Sequence, residues 1–193
     1  METVRTFVAI ELPRPVKDGL TGIRKELDRA GRDVVKWVGA DSIHLTLKFL
    51  GEIPAAMVPQ VNAALEEASR GIAPFTLQAG ELGFFPNANR PRVFWKGLKG
   101  DLDELLRLQE NVELALEALG YQREARGFSP HLTLARFKDY SDNERLRTFV
   151  EQANRIGIAA GSDIPVNGLS LMHSVLKPEG AVHTRLAFIP LME

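Results

Sequence analysis

An α+β fold is predicted for this 193-residue chain, and three observations predict it. Strand-like and helix-like segments alternate in the same order through two similar halves. Neighbouring strands read as hairpin-like partners, which favours antiparallel sheets over a doubly wound parallel one. The tetrapeptide His-Leu-Thr-Leu stands once in each half, beginning at His44 and at His131.

Thr6 to Leu12 is rich in Phe, Val and Ile and stops at Pro13, which cannot continue a ladder, so it reads as a buried strand. Pro15 opens a helix whose apolar face is Val16, Leu20, Ile23 and Leu27, with Gly31 at its end. The strands "VVKWV" and "IHLTLKFL" follow. After Pro54 the spacing of Met57, Val61, Leu65 and Ala68 predicts a helix to about Ser69. "PFTLQAGELGFF" is again a strand, and "PNANRP" a loop. From Arg92 the order recurs: the strand "RVFWKGL", a helix over Asp101 to Leu119 closed by Gly120, then the strand "HLTLARF". In "SDNERLRTFVEQAN", Ser141 as N-cap with Glu144 three residues on makes a capping box. The strands "IPVNGLSLMHSV" and "TRLAFIPL" close the chain. No linker-like run splits the halves, so residues 1–193 are read as a single domain of two intertwined lobes.

The composition, 45% hydrophobic and 25% charged, is that of a globular protein with a packed core. Lys plus Arg is 24 against 25 for Asp plus Glu, so no overall field holds long duplex nucleic acid, and any nucleic-acid contact is local. Cys is absent, which excludes disulfides, thiolate metal sites and a Cys nucleophile. "METVRTFVAIELPRP" lacks the apolar region of a signal peptide, and no run approaches the roughly eighteen apolar residues of a membrane span. A cytoplasmic monomer without a membrane partner is expected.

The chemistry sits in the repeated motif. On a strand, successive side chains face opposite sides, so His44 and Thr46 share one face, roughly 6 to 7 Å apart, and Leu45 and Leu47 the other. His131 and Thr133 stand in the same relation to Leu132 and Leu134. A single His beside a Thr on a strand is ordinary. That a second of the four His is followed by Leu-Thr-Leu by composition alone has a chance on the order of one in a thousand. Duplication accounts for the leucines better than for the histidines. If the halves pack about a pseudo-twofold axis, two His and two Thr converge on one cleft.

These motifs, with "RTFVAIELP", "VKWVGADSIHLTLKFLGE", "GELGFFPNANRPRVFWKGL", "REARGFSPHLTLAR" and "SVLKPEGAVHTRLAFIPL", resemble the two-histidine (2H) phosphoesterases, and within them the RNA 2',3'-cyclic phosphodiesterase or 2'-5' RNA ligase family. The likeness covers nearly the whole chain. It implies two α+β lobes related by a pseudo-twofold axis, each an antiparallel sheet with helices packed outside, around a cleft that holds both motifs. It also implies hydrolysis of an RNA 2',3'-cyclic phosphate end to a 2'-phosphate, tRNA fragments being among the candidate RNAs. His44 is then the proton donor to the leaving ribose 3' oxygen and His131 the proton acceptor from water. An imidazole serves either role near neutral pH. Thr46 and Thr133 are expected to donate to the non-bridging oxygens as their charge grows. With an RNA 5'-hydroxyl in place of water, the site would form a 2'-5' linkage. The lack of a G-x-x-x-x-G-K-[ST] loop agrees with a ligation that needs no ATP.

Arg136 matches the arginine of the family's "HLTLAR" and suits phosphate binding through a bidentate guanidinium. Phe49 is a candidate to stack on a base, although strict alternation places it with Leu45 and Leu47, where core packing competes. Lys48, Arg126 and Phe128 are lesser candidates for the cleft rim, and Arg90 and Arg92 read equally as RNA contacts or exposed loop charge. His173 and His183 carry no repeat signature, and His183 stands where the family often has an aromatic. No metal or cofactor is expected, because no carboxylate or fixed third ligand accompanies the histidines. Two other readings stay open: a 2H enzyme for a small cyclic-phosphate nucleotide or a 2'-5' oligoadenylate, and a binding module for RNA ends. All four His and Thr of the paired motif are present, which favours chemistry over binding alone.

Overall fold

The computed structural model describes residues 2–139, 142–156, 163–178 and 180–192. The elements are β1 (Thr3–Glu11), α1 (Arg14–Gly31), β2 (Val35–Trp37), β3 (His44–Pro54), α2 (Val58–Ser69), β4 (Phe75–Phe85), β5 (Val93–Gly100), α3 (Leu102–Glu117), β6 (His131–Phe137), α4 (Asn143–Arg155), β7 (Asp163–Val166), β8 (Gly168–Lys177) and β9 (Gly180–Pro190). Two expectations are corrected. Ser141 lies outside the described residues, and the N-cap of α4 is Asp142, whose carboxylate accepts from the amides of Glu144 and Arg145. The stretch read as one strand, "IPVNGLSLMHSV", is two: β7 pairs with β4 and β8 with β1, so the chain changes partners at Asn167. Among the described residues no helix is long and apolar enough to cross a membrane.

The strands form one curled antiparallel sheet in the order β7-β4-β5-β6-β3-β1-β8-β9, with β2 on β6. Its two wings meet where the motif strands β3 and β6 touch, at the single pair Leu45 and Leu132. On one wing β3 is held along its length by β1, from Thr3 opposite Pro54 to Glu11 opposite His44. On the other, β5 and β2 hold β6.

Helices from each half of the sequence cover both wings. α2 and α3 pack together, α2 against β9 and α3 against β3, while α1 packs on α4 and β2. In α1 the buried residues are the predicted stripe of Val16, Leu20, Ile23 and Leu27, ending at Gly31. Each such aliphatic side chain contributes about 1.5–3 kcal/mol on burial. Gly31 permits a close approach, since a Cβ there would lie 3.1 to 3.2 Å from Val35, Phe149 and Trp37. Phe149 of α4 packs edge-on to Phe94 and Phe137, centroids 5.3 and 5.5 Å away, which fixes the helices to the β5–β6 wing.

Matched irregularities shape both motif strands. Between β1 and β3 the register runs from Val8↔Lys48 to Ala9↔Thr46, which leaves Leu47 as an extra residue. Between β5 and β6 it runs from Phe94↔Ala135 to Trp95↔Thr133, leaving Leu134 extra. A bulge of this kind reverses the alternation beyond it. The burial patterns of "HLTLKFL" and "HLTLARF" are therefore the same, with His and Thr half-buried, the next two residues after Thr buried, and the fifth residue after His exposed.

Candidate active site

Leu45 and Leu132 point into the core, so the residues flanking them face the opposite side of the junction. The antiparallel register sets His44 level with Thr133 and Thr46 level with His131, the two histidines lying diagonally across the strands. In a regular antiparallel pair such diagonal positions are about 7–8 Å apart, enough to admit a phosphate between two imidazoles. All four polar side chains of the repeated motif thus come together on one face. Neither threonine hydroxyl is taken by another described side chain.

The backbone two residues upstream bears on each imidazole. His131 Nδ1 lies 2.8 Å from the carbonyl oxygen of Ser129, two residues upstream. At His44 the Ser42 backbone, also two residues upstream, favours the charged ring. A carbonyl only accepts, so Nδ1 of His131 carries the proton and its Nε2 is left for substrate.

Their surroundings differ. His44 stacks on Phe7 with centroids 4.5 Å apart and meets His183 edge-on at 5.1 Å; Phe7 meets His183 at 4.9 Å. Phe7, Ala9 and Met172 form a small apolar cluster separate from the main core, the floor on which His44 rests. Burial first, and His183 second, lower the pKa of His44 from 6.5 to about 4. Glu11, level with His44 on β1, acts weakly in the other direction, its carboxylate accepting from the Ser170 hydroxyl at 2.6 Å and from Arg185 at 3.1 Å. His131 instead meets the edge of Phe85 at 5.0 Å, and Phe85 packs on Trp95 at 4.9 Å. Trp95 lies over Gly83, its partner across β4 and β5, where a Cβ would meet the indole at 2.3 Å.

The bulges decide the remaining candidates. Phe49 is 61% exposed and 6.0 Å from Phe7, on the cleft side rather than with Leu45 and Leu47. Arg136 occupies the matching place on β6 and is exposed, without a hydrogen bond or ion pair among the described residues. Lys48 is not at the rim: it turns into the core, where its ammonium donates to Glu113 at 2.6 Å and to the Gln122 carbonyl at 2.8 Å. Phe128 packs against the core, whereas Arg126 is exposed in the segment before β6. Arg92 is exposed and pairs with Asp139 at 3.3 Å. His173 lies on β8 opposite Thr6 and Thr184. No group of three or more His, Asp or Glu among the described residues is placed to hold a metal ion.

Sequence reasoning missed Phe7, Phe85, Trp95 and His183 as parts of the site. Phe7, Ala9 and Glu11 do alternate along one face of β1, a signal that could have found Phe7. His183 arrives through the β8–β9 pairing, where it stands opposite Ser174, and no local pattern announces it.

The family model for LigT like phosphoesterases matches residues 10–95 and again 99–183, once for each half. The chain belongs to the LigT-like phosphoesterases. Among relatives of this LigT-like phosphoesterase, an RNA 2',3'-cyclic phosphodiesterase of Aquifex aeolicus is 31% identical over 185 residues, covering 95% of each chain. A crystal structure from Thermus thermophilus superposes with a TM-score of 0.78 at 32% identity, covering 97% of each chain. The crystal structure of Escherichia coli LigT complexed with 3'-AMP gives 0.76 at 25% identity over the full length of both. LigT-like phosphoesterases thus share this fold over its whole length.

Proposed function

We propose that this protein hydrolyses RNA 2',3'-cyclic phosphate ends to 2'-phosphate ends, with His44 and His131 as its acid and base. The observation that carries the reading is the junction itself: the paired strands bring two imidazoles to one face, Nδ1 of His131 fixed by the Ser129 carbonyl, beside two threonine hydroxyls without a partner among the described residues. The names of the relatives and the 3'-AMP bound to LigT fit the same chemistry.

His131 Nε2 accepts a proton from water as its oxygen attacks phosphorus. The bond from phosphorus to the ribose 3' oxygen breaks, and that oxygen takes the proton of His44, leaving the phosphate on the 2' oxygen. Thr46 and Thr133 donate to the non-bridging oxygens, where charge builds in the five-coordinate transition state. Acid, base and phosphate donors are all side chains, so the reaction runs without a metal ion. With an RNA 5'-hydroxyl as nucleophile in place of water, the same steps form a 2'-5' linkage.

In the open cleft His44 is neutral at pH 7, its pKa being lowered to about 4. It takes up its proton with the substrate. A phosphate anion 4 to 5 Å away at an effective dielectric near 20 favours the imidazolium by about 3–4 kcal/mol, or two to three pKa units. The pKa of His44 is thereby raised in the complex, toward the range that suits a general acid at neutral pH.

The test incubates the protein in EDTA with a short RNA ending in a 2',3'-cyclic phosphate, beside His44→Ala and His131→Ala, and identifies the terminal phosphate. A 2'-phosphate product lost in both variants is expected. A product that survives either substitution, or that EDTA abolishes, contradicts the reading.

A further inference from the structure

His183 belongs to neither motif, yet its ring completes a triangle with Phe7 and His44, at 4.9 and 5.1 Å, perpendicular to both. Its Nδ1 is buried and has no hydrogen-bond partner among the described residues. A ring so placed has no acceptor to support a charge on that nitrogen, and it faces a second imidazole at short range. Charge on both rings is therefore opposed from two sides, by desolvation and by mutual repulsion. The other charged groups around the pair are few. β1 contributes Glu11, already engaged by Arg185 of β9 and by Ser170 of β8, and α1 contributes Lys17. Next to the end of β9, Ser42 donates to the Ala181 carbonyl, and nearby Asp41 lies 3.8 Å from Arg14. None of these supplies an acceptor to His183.

We propose that His183 is a positioning residue that acts through His44: the two rings admit one positive charge between them, so His44 accepts the catalytic proton only while His183 stays neutral. This rests on the reading of His44 as the acid. Acidification that charges His183 first then withholds the proton from His44, and the cleft loses activity on the acid side before His44 itself titrates. Burial lowers the pKa of His183 as well, in keeping with a ring that is neutral at physiological pH. The pair resembles two carboxylates sharing a site, with the sign reversed: one proton is accepted and the second resisted.

The experiment follows the His44 ring by NMR titration in the free protein and measures kcat/KM against pH on the cyclic-phosphate RNA, for the native chain, His183→Phe and His183→Gln. Phe preserves the packing and Gln the polarity, and neither carries charge. In both variants the His44 titration point is expected to rise by about half a pKa unit, a threefold gain in proton affinity, and the acid limb of kcat/KM to move to lower pH, because no second ring is left to withhold the proton. A His44 titration unchanged in both variants overturns the proposal and leaves His183 as packing alone. So does a shift in one variant that merely tracks lost folding stability in urea. The NMR measurement involves no turnover, so its outcome is separate from that of His44→Ala, which bears on the reaction itself.

Discussion

Arg136 stands on β6 where Phe49 stands on β3. Each is the fifth residue after a motif histidine, each lies beyond a bulge at the second motif leucine, and each is exposed. The pseudo-symmetric frame thus places an aromatic on one wall and a guanidinium on the other. The two walls divide the substrate: an aromatic face suits a base, and a guanidinium suits phosphate.

Arg136→Ala is expected to lower kcat/KM about ten- to hundredfold, the worth of a charged hydrogen bond to phosphate. Folding should be untouched within about 0.5 kcal/mol, because the side chain is exposed and unpaired. Arg136→Lys should recover part of the loss, since an ammonium keeps the charge without the bidentate fork. Phe49→Ala should act chiefly on KM. Steady-state kinetics and urea unfolding of the three variants separate these effects, and an Arg136→Ala variant with native kcat/KM would remove the residue from the site.

Lys48 and Glu113 form an ion pair with side chains 2% and 4% exposed, completed by Gln109 on Glu113 and by the Gln122 carbonyl on Lys48. Removing one partner leaves an uncompensated buried charge, which typically costs about 3–5 kcal/mol. Lys48→Met should therefore destabilise the fold by that order. Lys48→Met with Glu113→Leu should recover most of it, because no charge then remains to be buried. Urea midpoints decide, and additive losses in the double variant would contradict the coupling. Lys48 thus acts on the cleft from behind, tying α3 to the motif strand.

The helices and most strands were legible because their signals are local. The stripe of α1 at Val16, Leu20, Ile23 and Leu27 is a property of its own sequence, and so is Pro13 as a stop. The motif histidines were legible through repetition. Lys48 and Phe49 were not: strict alternation puts Lys48 with His44 and Phe49 with Leu45, and the bulge at Leu47 reverses both. Whether Leu47 is an extra residue depends on how β1 lies beside it, which no reading of β3 contains. The break at Asn167 has the same character, since it exists only because β7 and β8 find different partners.

Gly83 supports His131 through two aromatic rings. A methyl group at this position would sit 2.3 Å from Trp95, which packs on Phe85, which in turn holds the edge of His131. Gly83→Ala is expected to cost about 1–3 kcal/mol by overpacking. It should also lower kcat more than it raises KM, because a displaced base is felt mainly in the chemical step. In a Trp37→Phe background Trp95 is the sole indole, so its emission reports the displacement directly. An unchanged spectrum with native kcat would show that the indole relaxes without moving Phe85.

His44 links folding to pH. Its pKa is near 4 in the folded chain and 6.5 when exposed, so between these values the unfolded state binds the proton and the folded state does not. Stability from this residue is complete above pH 6.5, declines as pH falls, and levels off below 4 after a loss of about 3 kcal/mol. His44→Gln has no such group to titrate. Its urea midpoint should therefore fall less between pH 7 and pH 4.5 than that of the native chain, and equal falls would mean that His44 is not held neutral.

The same proton reappears when an anion enters the cleft. If the phosphate restores the charge of His44, then binding adenosine 2'-monophosphate, a mononucleotide with the terminal chemistry of the product, takes up a proton from buffer near pH 7. Isothermal titration calorimetry in two buffers of different ionisation enthalpy measures this uptake directly. The native protein should take up a sizeable fraction of a proton, and His44→Gln markedly less. Binding without uptake would leave His44 neutral in the complex. A neutral imidazole accepts a proton rather than donating one, so that result would exchange the two roles, with His44 activating water and His131 protonating the leaving oxygen.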